Sequence, residues 1–250
     1  MYAEWSPDPA LSGRIACLWR LSAEKEHTQL VVPDGCVDLI WGPEGPFVAG
    51  PDTGPIPTPV RPGDSFTGVR FRPGAVGDVL GLPLSELRDQ RVPLADLGTF
   101  PPLELGAGPA PGSMRVLPRQ AQAAGSPGAR GEPDPLPVLC GVVADRLRRT
   151  PPPDPAAPVV AASLRRGRSV REVARDLGLS ERQLHRRTVA GFGYAPKTLQ
   201  RIVRFQYALR LARSGVPAAE VAAVAGYTDQ AHLAHDLKRL SGVTLTRLVT

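Results

Sequence analysis

Two runs of polar side chains carry the residue types that read nucleic acid. The first holds Ser180, Glu181, Arg182, Gln183, His185 and Arg186; the second holds Thr228, Asp229, Gln230 and His232, with Leu233 beside them. Arginine can set two N–H groups on guanine O6 and N7, and glutamine can pair with N6 and N7 of adenine. Each run follows a glycine, Gly178 or Gly226, that can end a preceding helix. Such chemistry requires a helix that turns one side to the duplex and a second helix that holds it there.

The neighbouring sequence supplies both. Ser169 and Glu172 have capping-box spacing, Val173 and Leu177 share one face, and Ala174 is small where two helices must approach. Leu179 can plug the turn. Ser180 opens a second helix with Gln183 at the same capping spacing, and Leu184 and Thr188 point inward. A second unit spans 217–239. Val216-Pro217 is a poor start, but Val221, Ala222 and Val224 give an apolar face, Gly226 and Tyr227 make the turn, and Thr228 is placed as the cap. Between the units, PKTLQRIVRFQYALRLARSG repeats Leu199, Ile202, Val203, Gln206 and Leu209 at helical spacing. A connector helix of about 17 residues spans about 25 Å, which would hold two reading helices near one turn of duplex apart.

Charge is distributed to match. Residues 163–250 hold 16 of the 30 Lys+Arg and 6 of the 24 Asp+Glu, a net of +10, which leaves 14 against 18, a net of −4, for the rest. A polyanion-binding surface is therefore expected on the C-terminal part. Cys17, Cys36 and Cys140 are far apart and in no metal-ligand spacing, so no metal, no cofactor and no disulfide framework is expected. The start, MYAEWSPDPA, lacks the basic and apolar regions of a signal peptide, and no apolar run is long enough to cross a membrane. A cytoplasmic location is the expectation.

The N-terminal part reads differently. RIACLWRL (14–21), QLVV (29–32), CVDLIW (36–41), PFVAG (46–50) and SFTGVRF (65–71) are short β-type runs between turn formers. GAVGDVLGL and SELRDQ suggest short helices. Residues 101–137 hold 9 Pro and 6 Gly in 37 residues, which predicts a flexible linker, followed by a short helix at 138–149. Alternation along CVDLIW sets Cys36, Asp38 and Ile40 on one face, and Arg70 and Arg72 alternate on another strand. One reading makes Asp34, Cys36, Asp38, Arg70 and Arg72 a polar pocket for an effector. The other makes PDG a turn, Cys36 a small buried residue and Asp38 an ion-pair partner that ties strands together.

At residues 158–249 the chain resembles the DNA-binding domain of the AraC/XylS family of bacterial transcription regulators. The resemblance is carried by EVARDLGLSERQLHRR, GYAPK, RFQYALRLARSG and EVAAVAGYTDQAHLAHDLKRLSGVT, with AGYTDQAHL the most specific stretch. It implies seven helices, with reading helices at 180–190 and 228–240 set in consecutive major grooves of double-stranded DNA. Thr188 stands where the family has an aromatic, and Leu245 where it has Pro. VVPDGCVDLIW, FVAGPDT and GVRFRPGA resemble N-terminal domains of a subset of these regulators, a class that in the wider family is often a β-barrel that binds an effector or mediates dimerisation.

The expected fold is α+β in two domains: a β-rich, barrel-like sensor or oligomerisation domain at 1–98, a Pro/Gly-rich linker with a short helix at 99–157, and an all-α tandem helix-turn-helix domain at 158–250. The expected function is sequence-specific DNA binding in transcription regulation, without enzymatic activity. RNA polymerase, a small-molecule effector and a second copy of the chain are further candidate partners. Two alternatives differ in class: a DNA-repair alkyl acceptor that uses Cys36, and a nonspecific nucleic-acid-binding protein. A signal from the N-terminal domain is expected to cross a loose Pro/Gly tether.

Overall fold

The computed structural model describes residues 1–103 and 133–249. Among the described residues, eight strands precede eight α-helices in chain order. The strands are β1 (Tyr2–Trp5), β2 (Ile15–Ser22), β3 (His27–Val31), β4 (Val37–Gly42), β5 (Gly45–Ala49), β6 (Ile56–Val60), β7 (Ser65–Phe71) and β8 (Arg91–Pro93). The helices are α1 (Pro135–Arg149), α2 (Ala157–Arg165), α3 (Val170–Asp176), α4 (Glu181–Phe192), α5 (Pro196–Arg213), α6 (Ala218–Val224), α7 (Gln230–Ser241) and α8 (Leu245–Val249). The expected two-part α+β architecture is what the chain forms, and the helices from α2 to α8 are the seven expected.

The N-terminal sheet is antiparallel, in the order β1-β2-β7-β4-β5-β8, with a separate β3-β6 ribbon. It is an open sheet with β1 and β8 at its edges, in place of the barrel-like closure expected. Period-two alternation separates its faces. Leu18, Val69 and Leu39 form one rung of the inner face, and Trp19, Gly68 and Ile40 form a rung of the outer face. The inner face joins Phe71, Val37 and Val48 in the main core. Gly68 is required by the outer rung: a Cβ there would lie 2.4 Å from Trp19 Cε2, so only glycine lets the indole lie across β7.

Three strands, β1, β6 and β8, escaped the sequence reading. β6 contains Pro57 and Pro59, which argue against a strand; it survives as one side of a two-stranded ribbon, where a missing N–H is tolerated. GAVGDVLGL forms one 3-10 turn at Gly77–Leu80, and SELRDQ forms no helix.

The short helix placed in the linker is part of the N-terminal core. Helix α1 starts at Pro135, capped by Asp134, whose side chain accepts from Leu136 N. Leu136, Leu139, Cys140 and Val143 are buried with the inner face of the sheet. Arg146 Nε donates to Val79 O at 3.0 Å and fastens the helix's far end. Most of the expected flexible linker, 104–132, lies outside the described residues.

Burial at Cys140 gives a testable pH dependence. Desolvation pushes its thiol from the ordinary 9.0 up to about 12, and burial does the same at Cys17. The stabilising contribution of a raised pKa is complete below the unfolded value and is lost as pH rises through the folded one. Stability is therefore expected to fall between pH 9 and 12, by up to roughly 1.4 kcal/mol per pH unit per fully buried thiol. Denaturant melts at pH 8 and pH 10 check this. A Cys140→Ala variant should show a shallower fall.

The two domains are in direct contact, so the expected dependence on a tether alone is corrected. Tyr194 Oη donates to Asp52 O at 2.7 Å in a buried position. Gln206 Nε2 donates to Pro33 O at 2.7 Å, and Arg88 Nη1 to Gly193 O at 3.3 Å. Val32 packs into the apolar cluster of the second helix-turn-helix unit. Among the described residues no helix is long and apolar enough to cross a membrane.

Candidate nucleic-acid interface

Each helix-turn-helix unit is built by local sequence. Ser169 caps α3 and Ser180 caps α4, each with the reciprocal bond of a full capping box, from Glu172 and Gln183 respectively. Gly178 (φ +65°) and Gly226 (φ +75°) adopt the left-handed conformation of the turns. Pro217 gives α6 no side-chain cap, as its sequence suggests. The cap of α7 is Asp229, whose carboxylate accepts from His232 N at 2.7 Å; Thr228, expected in that role, sits one residue outside the helix.

With that correction the two units fall into one register. Ser180 corresponds to Asp229, Gln183 to His232, Leu184 to Leu233, Arg186 to His235, Thr188 to Leu237 and Gly193 to Gly242. Leu184 and Leu233 are both buried, so Leu233 belongs to the core and not to a DNA-facing surface. Thr188 is fully enclosed and returns its hydroxyl to Leu184 O at 2.8 Å, while Phe192 one turn later supplies the aromatic bulk. Val224, expected on the apolar face of α6, is exposed.

The outward faces are thereby defined. In the first unit Glu181, Arg182, Gln183, His185, Arg186 and Arg187 are exposed; in the second Thr228, Asp229, Gln230, Ala231, Ala234, His235 and Lys238 are. Gln183 is exposed but occupied: its Oε1 accepts from Ser180 N at 2.8 Å and Ser180 Oγ at 3.0 Å. Only its Nε2 is left for a base edge, which removes the bidentate adenine contact in this state. His232 is half-buried, edge-on to Tyr227 with ring centroids 5.2 Å apart, and its Nδ1 faces Thr228 Oγ1 at 3.3 Å. His235 and Lys238 are not among the expected DNA-facing residues; counting from the Asp229 cap would have placed them there. An open cleft of about 380 Å³ lies beside α4, lined by Val170, Glu181, Arg182, His185, Pro196 and Lys197 among others.

Both units are fixed to α5. Leu199 and Ile202 join the first unit's core, and Phe205, Ala208 and Leu209 join the second's. In the second unit, buried Asp236 on α7 accepts from Arg204 Nη2 at 2.8 Å and lies 3.9 Å from Arg201 Nε. Arg204 also covers the Tyr227 ring at 4.2 Å. Asp236 is thus the anchor of a charged lock between reading helix and connector. Among the described residues no cluster of metal-ligating side chains occurs.

In the N-terminal domain, the structure brings together four of the five residues considered for an effector. Asp38 accepts from Trp19 Nε1 at 2.8 Å and from Arg70 Nε at 3.0 Å, and Arg70 Nη1 lies 3.8 Å from Asp34. Asp34 Oδ1 accepts from Cys36 N at 2.8 Å and closes the turn. Arg72 points elsewhere, to Ser12 O. Burial raises the Asp38 carboxyl against the opposing pull of Arg70. Burial, with Asp34 and Asp38 adding to it, pushes the Cys36 thiol well up. A thiol held protonated is the opposite of what an alkyl acceptor needs. Asp38 and Arg70 tie strands β4 and β7 together by an ion pair.

Residues 173–250 match the family model described as "Helix-turn-helix domain", and residues 3–93 match "Domain of unknown function (DUF6597)". No curated protein gives a significant match. Among solved structures, the C-terminal domain of AraT, a response regulator from Geobacillus stearothermophilus, is 22% identical, covering 38% of this chain and 84% of that one, with TM-score 0.36. ToxT from Vibrio cholerae is 9% identical over 92% of this chain and 96% of that one, with TM-score 0.43. The same ToxT with an unsaturated fatty acid bound is 9% identical over 99% and 95%, with TM-score 0.40. With two capped units in one register and the family match over the same residues, the C-terminal part of this chain carries a helix-turn-helix domain, behind a β-rich part that matches a domain of unknown function.

Proposed function

We propose that the chain is a sequence-specific transcription regulator that reads two consecutive major grooves with α4 and α7. The observation that carries this is the shared register of the two units, in which Arg182, His185 and Arg186 and their equivalents Ala231, Ala234 and His235 are exposed while Leu184 and Thr188 and their equivalents Leu233 and Leu237 are buried. A helix-turn-helix presents the N-terminal part of its second helix to base edges. Arg182, His185 and Arg186 then read bases or phosphates in the first unit. Gln230 and His235 do so in the second, with His232 reaching through Nε2. Ser180, Gln183, Thr228 and Asp229 hold the helix starts, and Glu181 sits favourably in a first turn.

Supporting this reading, Ala231 and Ala234 replace the positions of Arg182 and His185, so α7 offers a less charged face suited to apolar contact with thymine methyls. The first unit would supply most of the charge and the second a closer fit. The domains at 1–98 and 158–250, the latter joined by the intervening residues, would act together in the cytoplasm. An effector, a second copy of the chain and RNA polymerase are the partners such a regulator would engage.

The test is selection of bound fragments from sheared genomic DNA by the purified full chain. A recurring motif with two parts about one helical turn apart is expected. Recovery of fragments without a shared motif would instead indicate nonspecific binding.

A further inference from the structure

One short loop, residues 51–55, meets the same structural position in both helix-turn-helix units. That position is the left-handed glycine that closes each reading helix: Gly193 (φ +75°) after α4 and Gly242 (φ +74°) after α7. A Cβ on Gly193 would stand 2.8 Å from Pro51 Cγ and 2.8 Å from Leu84 O. A Cβ on Gly242 would stand 3.5 Å from Pro55 Cγ. Between the two prolines, Asp52 O takes the buried Tyr194 hydroxyl at 2.7 Å.

The loop is itself held from behind. Arg91 donates to both Asp52 carboxylate oxygens, Nη1 and Nη2 each at 2.8 Å. Asp89 accepts from Thr53 N at 2.6 Å and from Thr53 Oγ1 at 2.8 Å. Asp89 occupies positive φ, +59°, a region uncommon for non-glycine residues but tolerated by Asp in turns. The loop is therefore tied to β8 and the turn before it on one side; on the other it is bonded through Asp52 to Tyr194 just after α4, and it sets Pro55 beside Gly242 at the end of α7. All these contacts fall at the C-terminal ends of α4 and α7, away from the exposed N-terminal faces.

We propose that loop 51–55 is a brace through which the N-terminal domain fixes the separation and orientation of the two reading helices. The proposal rests on the two-groove reading above. Helix α5 attaches the first unit through an apolar cluster, and the second through an apolar cluster and the Asp236–Arg204 lock. The loop adds a hold on the first unit from the N-terminal domain and sets Pro55 at the end of the second, which limits how far one unit can turn against the other. The N-terminal domain thereby sets which spacing of half-sites the chain accepts, and any event that moves Asp52 against Arg91 changes that choice.

The experiment uses the full chain and a series of duplexes carrying its selected site with one or two base pairs inserted or deleted between the half-sites. One inserted pair rotates the second half-site by about 34° at roughly 10.5 base pairs per turn. Wild type should bind the native spacing at least about tenfold more tightly than either neighbour. Tyr194→Phe, which keeps the ring and removes the cross-domain hydrogen bond, should cut that preference about threefold, and Tyr194→Phe with Arg91→Gln should cut it further. Thermal melting checks that each variant is folded. If the double variant unfolds, Tyr194→Phe alone decides. Folded variants with the wild-type spacing profile overturn the brace. A wild type indifferent to spacing overturns the two-groove reading, and with it the brace's role in site choice.

Discussion

Asp236→Ala is expected to destabilise the chain by about 2–4 kcal/mol, lowering its melting temperature by roughly 5–10 °C at this size. Removing one partner of a buried ion pair typically costs about 3–5 kcal/mol, because the other charge is left unpaired in a low-dielectric site. Here the arginine side chains are 23% and 32% exposed, which reduces the penalty. The lost bond to Arg204 also frees the guanidinium that covers Tyr227, so the turn and the start of α7 should loosen together. Scanning calorimetry on Asp236→Ala and on the apolar double variant Asp236→Leu/Arg204→Met separates the causes. The double variant should recover most of the loss, since an ion pair replaced by well-packed apolar groups is often neutral. A melting temperature unchanged by Asp236→Ala would show that the lock contributes nothing.

Arg182→Ala is the substitution expected to hurt DNA binding most, by about 1–3 kcal/mol, or a factor of roughly five to more than a hundred. Arg182 is exposed at the second position of α4, beside the cleft that also holds His185 and Lys197. If it reads a base, the loss should be confined to sites carrying one particular base pair. If it holds a phosphate, affinity should fall equally on every sequence and the salt slope should drop by about one. Gln183→Ala makes a useful contrast. Its amide oxygen completes the Ser180 capping box, so its loss should lower helix stability, by about 0.5–2 kcal/mol, more than it alters base preference.

The sequence was most legible where a local rule acts alone. Capping boxes at Ser169 and Ser180 and glycines at 178 and 226 reappear in the structure, because each depends on residues within one or two turns. On α5, Leu199, Ile202 and Leu209 are buried as expected, but Phe205 and Ala208 take the inward places expected of Val203 and Gln206. The cap of α7 was misread by one residue because Thr228 and Asp229 both suit the role, and only the tertiary seating of Tyr227 and His232 separates them. That slip moved Leu233 onto the wrong face and hid His235. The N-terminal strands with alternating apolar residues were visible, whereas β6, with two prolines, was not.

What sequence could not show was contact across the domains. Tyr194, Asp52 and Gln206 are remote in the chain and follow no spacing rule, yet they join the β-rich domain to the end of α4 and to the connector α5. The same holds for α1, which reads as a linker helix by position and is core by burial. The Asp38–Arg70 pair was foreseeable from alternation; the Trp19 bond that completes it depends on Gly68 leaving room for the indole.

Specific recognition of DNA by the paired units is put to the test by competition at near-physiological salt, with the full chain on its selected site challenged by a scrambled duplex of equal length and composition. The scrambled duplex is expected to compete at least about a thousandfold less well, in the range of specific over nonspecific binding. Equal competition by the two duplexes would contradict it.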